Sequence, residues 1–582
     1  MDQLNRKILA LTSTILLVFL LAGCGLPWPF PQPAPDPKLP DAQQVFRPLD
    51  GGPIGGDLET LDPALIQVSI DYGLAQLIFP QLVTLDDHLQ PIDWAAESHE
   101  ISADGLAYTF HLHRGLTWAD GTPIDATTFA YAINRSLDPC TGASPDVVAL
   151  HLYDLAGAEA FNTSVCPAGA IKTATTLIGS SIQTPDPLTL RLTLAHPAGY
   201  FLSALTWPTS WAAPQPLIER YGIAWTDHLT DNGPFGGNLY LLTTWSHTRT
   251  SLTDHGDLAF DRNERFWGRK PLLRRIEYAL YKDVSAEWSA FTQGKGDASN
   301  FPSVQLAAAR ATKGVVVRQV PTLGIRFLRP NWQLAPFDDV RVRQAFSLAL
   351  DRTAILPTAL RPVQQPSIHL VPEGMPGYNP DLADAAGRTG KDALSPDLAA
   401  ARTLASGYAT EQCAGDFAKC PAVTYSVNDS SSSQLELAQG IAAQWRQAFP
   451  GWVIQLMGTS HGVGDLKTFS NLQLSWDGWG ADYPDPQDFL SVLWATHASY
   501  NQSHVSVPQA DALLAQADNM SDLTTRMPLY QHAEQLLVTQ GAAIPLAQTY
   551  ATYALRSRVA DWRIAPTNST PLSIWQTAYL KR

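Results

Sequence analysis

Between Gly478 and Leu490 the chain reads Gly-Trp-Gly-Ala-Asp-Tyr-Pro-Asp-Pro-Gln-Asp-Phe-Leu. Three carboxylates, Asp482, Asp485 and Asp488, fall in this run, with Trp476 just upstream and Trp479 inside it. Acids that close together could hold a metal ion, divide acid and base roles, or meet a cationic group of a ligand. On a helix their i, i+3, i+6 spacing would put them on one face. Pro484 and Pro486 forbid a helix through the middle of the run and favour an extended turn. A calcium loop would supply more oxygen ligands and a glycine at its sharp turn. A glycosidase pair draws its acids from distant positions, and nothing here specifies one. Two readings stay open. The acids are turn residues, with Asp485 or Asp488 capping a helix that begins near Phe489, or Asp482 grips a ligand.

Other chemistry has little to stand on. There is no P-loop, dinucleotide fingerprint or His-Glu-x-x-His pair in the chain. His111 and His113 share one strand face, a spacing a metal could use, but no third ligand is implied nearby, so they read as solvent-facing histidines. No metal and no cofactor is expected.

The elements that must position the run are of both kinds. Leu106, Tyr108, Phe110 and Leu112 alternate with small or polar residues, as do Leu188, Leu190, Leu192 and Leu194, and both predict half-buried strands. From Asp338 to Arg352 the period becomes 3.6: Val342, Ala345, Phe346, Ala349 and Leu350 share a face, with Arg341 and Arg343 outside it. Asp338 or Asp339 would cap that helix. A second helix carries Ala438, Ile441, Ala442, Trp445 and Phe449 on one face, and a third runs from about Leu529 to Val538. Stretches near Asp231–Asn238 and Asp381–Pro396 mark loops or boundaries. Strands and helices alternate without a fixed repeat, which predicts mixed α/β lobes rather than a solenoid or propeller.

At 582 residues the chain is too long for one ordinary domain. Its net charge of -15 argues against a nucleic-acid partner. Arg6 and Lys7 precede an apolar run from Ile8 to Ala22, the pattern of an export signal and shorter than a typical membrane span. The following Leu21-Ala22-Gly23-Cys24 resembles a bacterial lipobox, in which Cys24 would be lipidated and become the mature N-terminus. The prolines between Pro27 and Pro37 exclude helix and central strand and predict a semi-rigid tether. Cys140, Cys166, Cys413 and Cys420 remain. An even number in an exported chain suggests two disulfides, and local pairing of Cys140 with Cys166 and Cys413 with Cys420 is expected, although spacing does not fix it. A four-cysteine zinc site lacks its usual close pairs.

Several stretches in one order resemble the extracellular solute-binding proteins of family 5, the peptide- and nickel-binding receptors of ABC importers. They begin at Asp57–Ala64, continue through Glu97–Leu112, Leu116–Pro139, Asn232–Phe235, Arg262–Gly268 and Phe291–Asp297, and include Pro336–Arg352, Val371–Asn379 and the acidic run. Ala126-Thr127-Thr128-Phe129 departs from the pattern by lacking an acid before the phenylalanine. The resemblance implies a periplasmic-binding-protein-like type II α/β fold, two main lobes with a hinge plus an inserted third lobe. The implied parts are a signal peptide at 1–23, a tether at 24–45, a discontinuous lobe I at 46–82, 183–320 and 546–582, lobe II at 83–182 and lobe III at 321–545. It also implies a role: a monomeric, lipid-anchored receptor at the outer face of the cytoplasmic membrane. Such a receptor would capture oligopeptides between lobes and deliver them to ABC permease subunits, with no chemistry of its own. A non-peptide solute, such as an oligosaccharide or metal chelate, and a secreted hydrolase are the alternatives. By its place in the motif, Asp482 would meet a peptide's ammonium, with Trp479, Gly480, Ala481 and Tyr483 beside it at the ligand.

Overall fold

The computed structural model describes residues 37–50, 58–170, 172–246, 256–357, 360–429, 431–459, 472–567 and 569–582. The export signal, Cys24, most of the tether and Asp57 lie outside them. The described chain divides into two units. The smaller contains Lys38 bridged to Lys581 and the Arg582 N–H donating to the Pro37 carbonyl at 2.9 Å. In the larger, Pro40–Leu580, the folded chain begins before the expected end of the tether: Asp41–Gln43 is a 3-10 turn, and Val45–Phe46 is a strand.

Among the described residues a five-stranded sheet runs in the order 45–46, 275–280, 256–262, 240–246, with 49–50 also paired to 275–280. A four-stranded sheet runs 96–101, 107–112, 189–193, 182–186. Its core face is the one the alternation predicts: Tyr108, Phe110, Leu190 and Leu192 are buried, and Arg191 between the leucines is exposed. The largest sheet runs 298–300, 544–556, 315–330, 474–480, 423–428, 454–459, with 364–366 paired to 544–556.

Strand Val315–Pro330, of 16 residues, and strand Ile544–Arg556, of 13, lie antiparallel and hold this sheet together. Their register slips between Pro321 and Ile325. The Gln548 side chain fills the gap. Its amide donates to the carbonyls of Thr322 at 3.0 Å and Glu373 at 2.9 Å, and its oxygen accepts the Glu373 N–H at 3.2 Å. A buried slip would otherwise orphan backbone groups.

Two apolar clusters flank the sheet. Phe346, Trp445, Phe449 and Trp452 pack in one; Phe327, Phe489, Trp494 and Tyr530 pack in the other. The helix expected from Asp338 to Arg352 is shorter. It spans Val340–Leu348, capped by the Asp339 carboxylate on the Arg341 N–H at 2.8 Å, and a separate short helix Arg352–Ile355 starts from Asp351. Arg343, expected outside its apolar face, is buried. It donates to the carbonyls of Phe337, Asp338 and Gln540 and lies 3.6 Å over the Trp332 ring. Carbonyls at helix and turn ends give a buried guanidinium the acceptors that burial demands. The helix expected from Leu529 begins earlier, spanning Leu523–Gln540 with Asp522 as its cap and Pro528 inside. The helix carrying Trp445 spans Ser432–Ala448 with the expected face buried. Cys140–Cys166 and Cys413–Cys420 are disulfides.

Gln548→Leu should orphan the groups it now serves and cost about 1–3 kcal/mol. Urea unfolding of the variant beside the parent protein checks this; an unchanged midpoint would refute the structural role of the amide.

Candidate functional site

Strand Leu474–Gly480 lies antiparallel to Val315–Pro330, with Gly480 opposite Gly324 and Gly478 opposite Arg326. The pairing outlasts the strand by one bond, from the Ala481 N–H to the Leu323 carbonyl at 2.8 Å. At Asp482 the chain leaves the sheet, turns through Tyr483-Pro484-Asp485-Pro486 and enters helix Gln487–Trp494.

The turn is held from inside. Asp485 is buried and receives both guanidinium nitrogens of Arg526, at 2.7 and 3.0 Å, and also accepts the Gln487 N–H at 3.0 Å. Arg526 donates as well to the Tyr530 hydroxyl, which donates in turn to Asp518. Burial opposes ionisation of Asp485, and the paired guanidinium pulls the other way. Asp488 is fully buried in the first turn of the helix, where its Oδ2 accepts the Asp482 N–H at 3.1 Å and the Trp479 indole N–H at 3.3 Å. Burial, with the charge of Asp482 nearby, pushes Asp488 well above the usual carboxylate range. Neither acid is a surface turn residue: one is half of a buried ion pair, the other a clamp that sets both Trp479 and the backbone of Asp482. The i, i+3, i+6 spacing thus delivers the three acids to three different environments.

Asp482 keeps 21% of its side chain open. Its Oδ2 faces Nε2 of the fully buried His151 at 3.7 Å. His151 comes from helix Pro145–Leu152, stacks on Trp207 at 5.0 Å and 3°, and is joined through Nδ1 to the Val147 carbonyl at 2.6 Å. A carbonyl accepts, so Nδ1 carries the proton and Nε2 offers a lone pair to Asp482. Burial drives the His151 pKa down to about 3 and raises that of Asp482 to about 7. Among the described residues no cation stands within ion-pair distance of Asp482, so a carboxylate there has no counter-charge.

Asp482, Trp479, Gly480 and Ala481 line a cavity of about 490 Å³. Tyr72 and Trp207 form an aromatic wall, with rings 5.4 Å apart. Thr322, Gly324 and Arg326 form part of its floor, where the register of the long strands slips, and Gln364 and Thr549 add polar groups. Tyr483 departs from expectation. It is fully buried and does not line the cavity; it packs between His151 and Tyr200, with its hydroxyl on Gln487. Tyr483 lies beyond the end of the strand, in the turn that carries the chain out of the sheet and into helix Gln487–Trp494, and that turn takes its ring into the core. Sequence reasoning also missed His151, Tyr72, Trp207 and Arg326. Of these only Arg326 left a signal, as a lone charge in the apolar run Gly324-Ile325-Arg326-Phe327-Leu328.

A strand-floored cleft with aromatic walls and one uncompensated carboxylate is built to hold a polar solute. The comparisons give that class its family. The chain belongs to the bacterial extracellular solute-binding proteins, family 5, whose model matches residues 90–501. Among curated relatives, the probable deoxycholate-binding periplasmic protein YgiS of Escherichia coli K12 is 28% identical over 517 residues, covering 88% of this chain and 89% of its own. The periplasmic oligopeptide-binding protein OppA of the same strain is 26% identical over 502 residues, covering 84% and 85%. Among solved structures, the Escherichia coli murein tripeptide binding protein MppA superposes with a TM-score of 0.70 at 24% identity, over 92% of this chain and 98% of that one. Haemophilus influenzae OppA in complex with RPPGFSPFR gives 0.68 at 21%, over 93% and 100%. The fold is therefore the mixed α/β type II periplasmic-binding-protein fold, and family members are solute-binding receptors.

Asp485→Asn leaves the Arg526 guanidinium buried without its counter-ion and should cost about 3–5 kcal/mol. The pair of substitutions Asp485→Leu with Arg526→Met should recover most of that loss. Thermal melts of the three forms decide it: equal melting points for the single variant and the parent would mean the ion pair does not hold the turn.

Proposed function

We propose that the protein is an exported receptor that captures oligopeptides by their free amino end and passes them to the permease of an ABC importer. The observation that carries the reading is Asp482, a carboxylate just past the end of a strand, open to the cleft and, among the described residues, without a cation beside it. An ammonium closed into that place supplies the missing charge. Beyond Ser475, the far edge of strand 474–480 pairs with no strand among the described residues, so an extended ligand can lie along it and bond through its backbone. Such pairing takes hold of a peptide without reading its side chains. The relatives named for oligopeptide binding support the same assignment.

In this reading Cys24 carries acyl chains, the prolines hold a monomeric receptor off the outer face of the cytoplasmic membrane, and the protein performs no chemistry. Lobe I comprises 46–82, 183–320 and 546–582, lobe II 83–182 and lobe III 321–545. The long strands 315–330 and 544–556 cross between lobes I and III and form the hinge, whose closing buries the ligand. A non-peptide solute is the second reading, favoured by the aromatic faces of Tyr72, Trp207 and Trp479 in the cavity. Mass spectrometry of whatever co-purifies with the protein separates the two.

The pH dependence follows from Asp482. Its folded pKa, about 7, lies above the ordinary aspartate value of 3.8. Between those values the folded state holds a proton the unfolded chain has released, so this group removes stability as pH rises through the window. Ammonium binding favours the carboxylate and expels that proton. Affinity for a free-amino peptide should fall by up to about tenfold per pH unit below about 7, and decline again at high pH as the peptide amine, of pKa about 8, loses its proton. Asp482→Asn should weaken binding on the order of 30-fold or more and flatten the acid limb. Titration calorimetry with di- to octapeptides from pH 5 to 9 measures both. If no free-amino peptide binds, the peptide reading is wrong; if Asp482→Asn binds as the parent does, the ammonium is met elsewhere.

A further inference from the structure

Between Arg262 and Arg275 six basic residues stand against one acid, Glu264, in a chain whose net charge is -15. They lie on the turn that joins the antiparallel strands Gly256–Arg262 and Arg275–Leu280. Those at the strand ends are paired. Arg262 donates to Asp41 and to Glu264, each at 2.8 Å, and Arg275 donates to Asp261 at 2.8 Å and Glu277 at 3.0 Å. Lys270 reaches Glu264 at 3.2 Å, so the one acid of the turn is shared between two cations. Three arginines remain. Arg265 donates to the Ala119 carbonyl, Arg269 and Arg274 are exposed, and among the described residues no carboxylate stands within ion-pair distance of any of them. Trp267, between them, is half-buried against Phe266, with ring centroids 4.2 Å apart, and its indole N–H has no acceptor among the described residues. The chain enters the fold at the base of this turn. Asp41 is held by Arg262, the Gln44 carbonyl accepts the N–H groups of Arg274 at 2.9 Å and Arg275 at 3.2 Å, and Val45 pairs with Arg275.

Resting on the lipid-anchored reading above, we propose that this turn docks on the anionic phospholipid surface of the membrane that holds Cys24, with Arg265, Arg269 and Arg274 at phosphate groups and Trp267 at headgroup level. The tether limits how far the turn can stray. Its chain from Cys24 to Pro40 spans at most roughly 50 Å at ~3.1 Å per residue in the extended proline-rich form. The potential of a charged membrane falls away within about 8 Å at physiological salt. An anchor alone therefore keeps the domain in reach of the surface without placing it there, and contact needs an affinity of its own. Free arginines supply one, because each adds attraction to an anionic leaflet and the planar guanidinium matches the oxygens of a phosphate. A tryptophan with an open N–H suits the same depth, where its ring meets apolar chain and its N–H meets polar headgroup. The acidic remainder of the protein is repelled by such a surface, so the charged turn also selects which side faces it. An acidic protein would offer carboxylates to the same arginines, but only the membrane is held beside them by the chain itself.

The test places the full protein, purified from membranes, on vesicles of phosphatidylcholine alone and on vesicles containing roughly one-third phosphatidylglycerol. Flotation reports the anchor, and hydrogen exchange read by mass spectrometry reports the turn. Exchange at 263–274 should slow by roughly tenfold on the anionic vesicles relative to the neutral ones, and the protection should vanish at about 0.5 M salt. The double variant Arg269→Glu with Arg274→Glu, both changes at exposed positions, should float on both vesicles and show no protection on either. Equal exchange on the two vesicle types, with the protein floating on both, would overturn the inference and leave the anchor reading intact. Protection that survives in the double variant would overturn it as well, because the anionic surface would then be met by another face. Equal protection by polyglutamate in solution would make the occupant an acidic protein and would also overturn it. If the protein carries no acyl chains by mass spectrometry and does not float on neutral vesicles, the anchor reading and this inference fall together.

Discussion

The ion pair between Asp485 and Arg526 fixes the geometry on which the cleft depends. Strand 474–480 ends in the middle of a sheet, and a chain leaving a sheet can turn in many ways. Here a guanidinium from a helix 41 residues further on draws the turn inward and locks it with two hydrogen bonds. Asp488 then clamps the backbone of Asp482 and the ring of Trp479 from below. With the turn fixed, Asp482 has one place to go, and that place is the open cleft. An ion pair this deep gives little net stability, because desolvation offsets the attraction. Its contribution is to orientation.

The acids show how environment divides identical side chains. Asp485 has a counter-ion, Asp488 is pushed toward its neutral form and accepts N–H groups, and Asp482 faces the lone pair of a neutral imidazole. Only the third carries an unmet electrostatic demand. A matching demand, of opposite sign, sits at Arg326. Both lie on one cavity.

Much of the scaffold was legible in the sequence because its signals are local. The alternation at 107–112 and 189–193, the Asp339 cap and the face of the Trp445 helix each depend on residues a few positions apart. The place of Asp482 at a cavity agrees with what its motif suggested. The roles of Asp485, Asp488, Arg343 and Gln548 were not, since each is settled by a partner supplied from elsewhere in the fold: Arg526, the backbone of the strand end, carbonyls at Gln540, a slip of register. Tyr483 was assigned to the wrong side because an irregular strand end does not announce which side each residue takes. The third helix starts earlier than expected, from the Asp522 cap, and carries Pro528 inside it.

The two prolines that bracket Asp485 act before the chain folds. Pro484 and Pro486 fix their own φ angles and push the residue ahead of each toward extended backbone. Four consecutive residues, Tyr483 to Pro486, therefore explore few conformations even in the unfolded chain, and folding has less disorder to remove at this turn than at an ordinary one. Neither proline carries a backbone N–H, so the buried turn also presents two fewer donors that would need partners. The segment that presents Asp482 is thus stiff by covalent structure, and it holds the acid to a narrow range of directions.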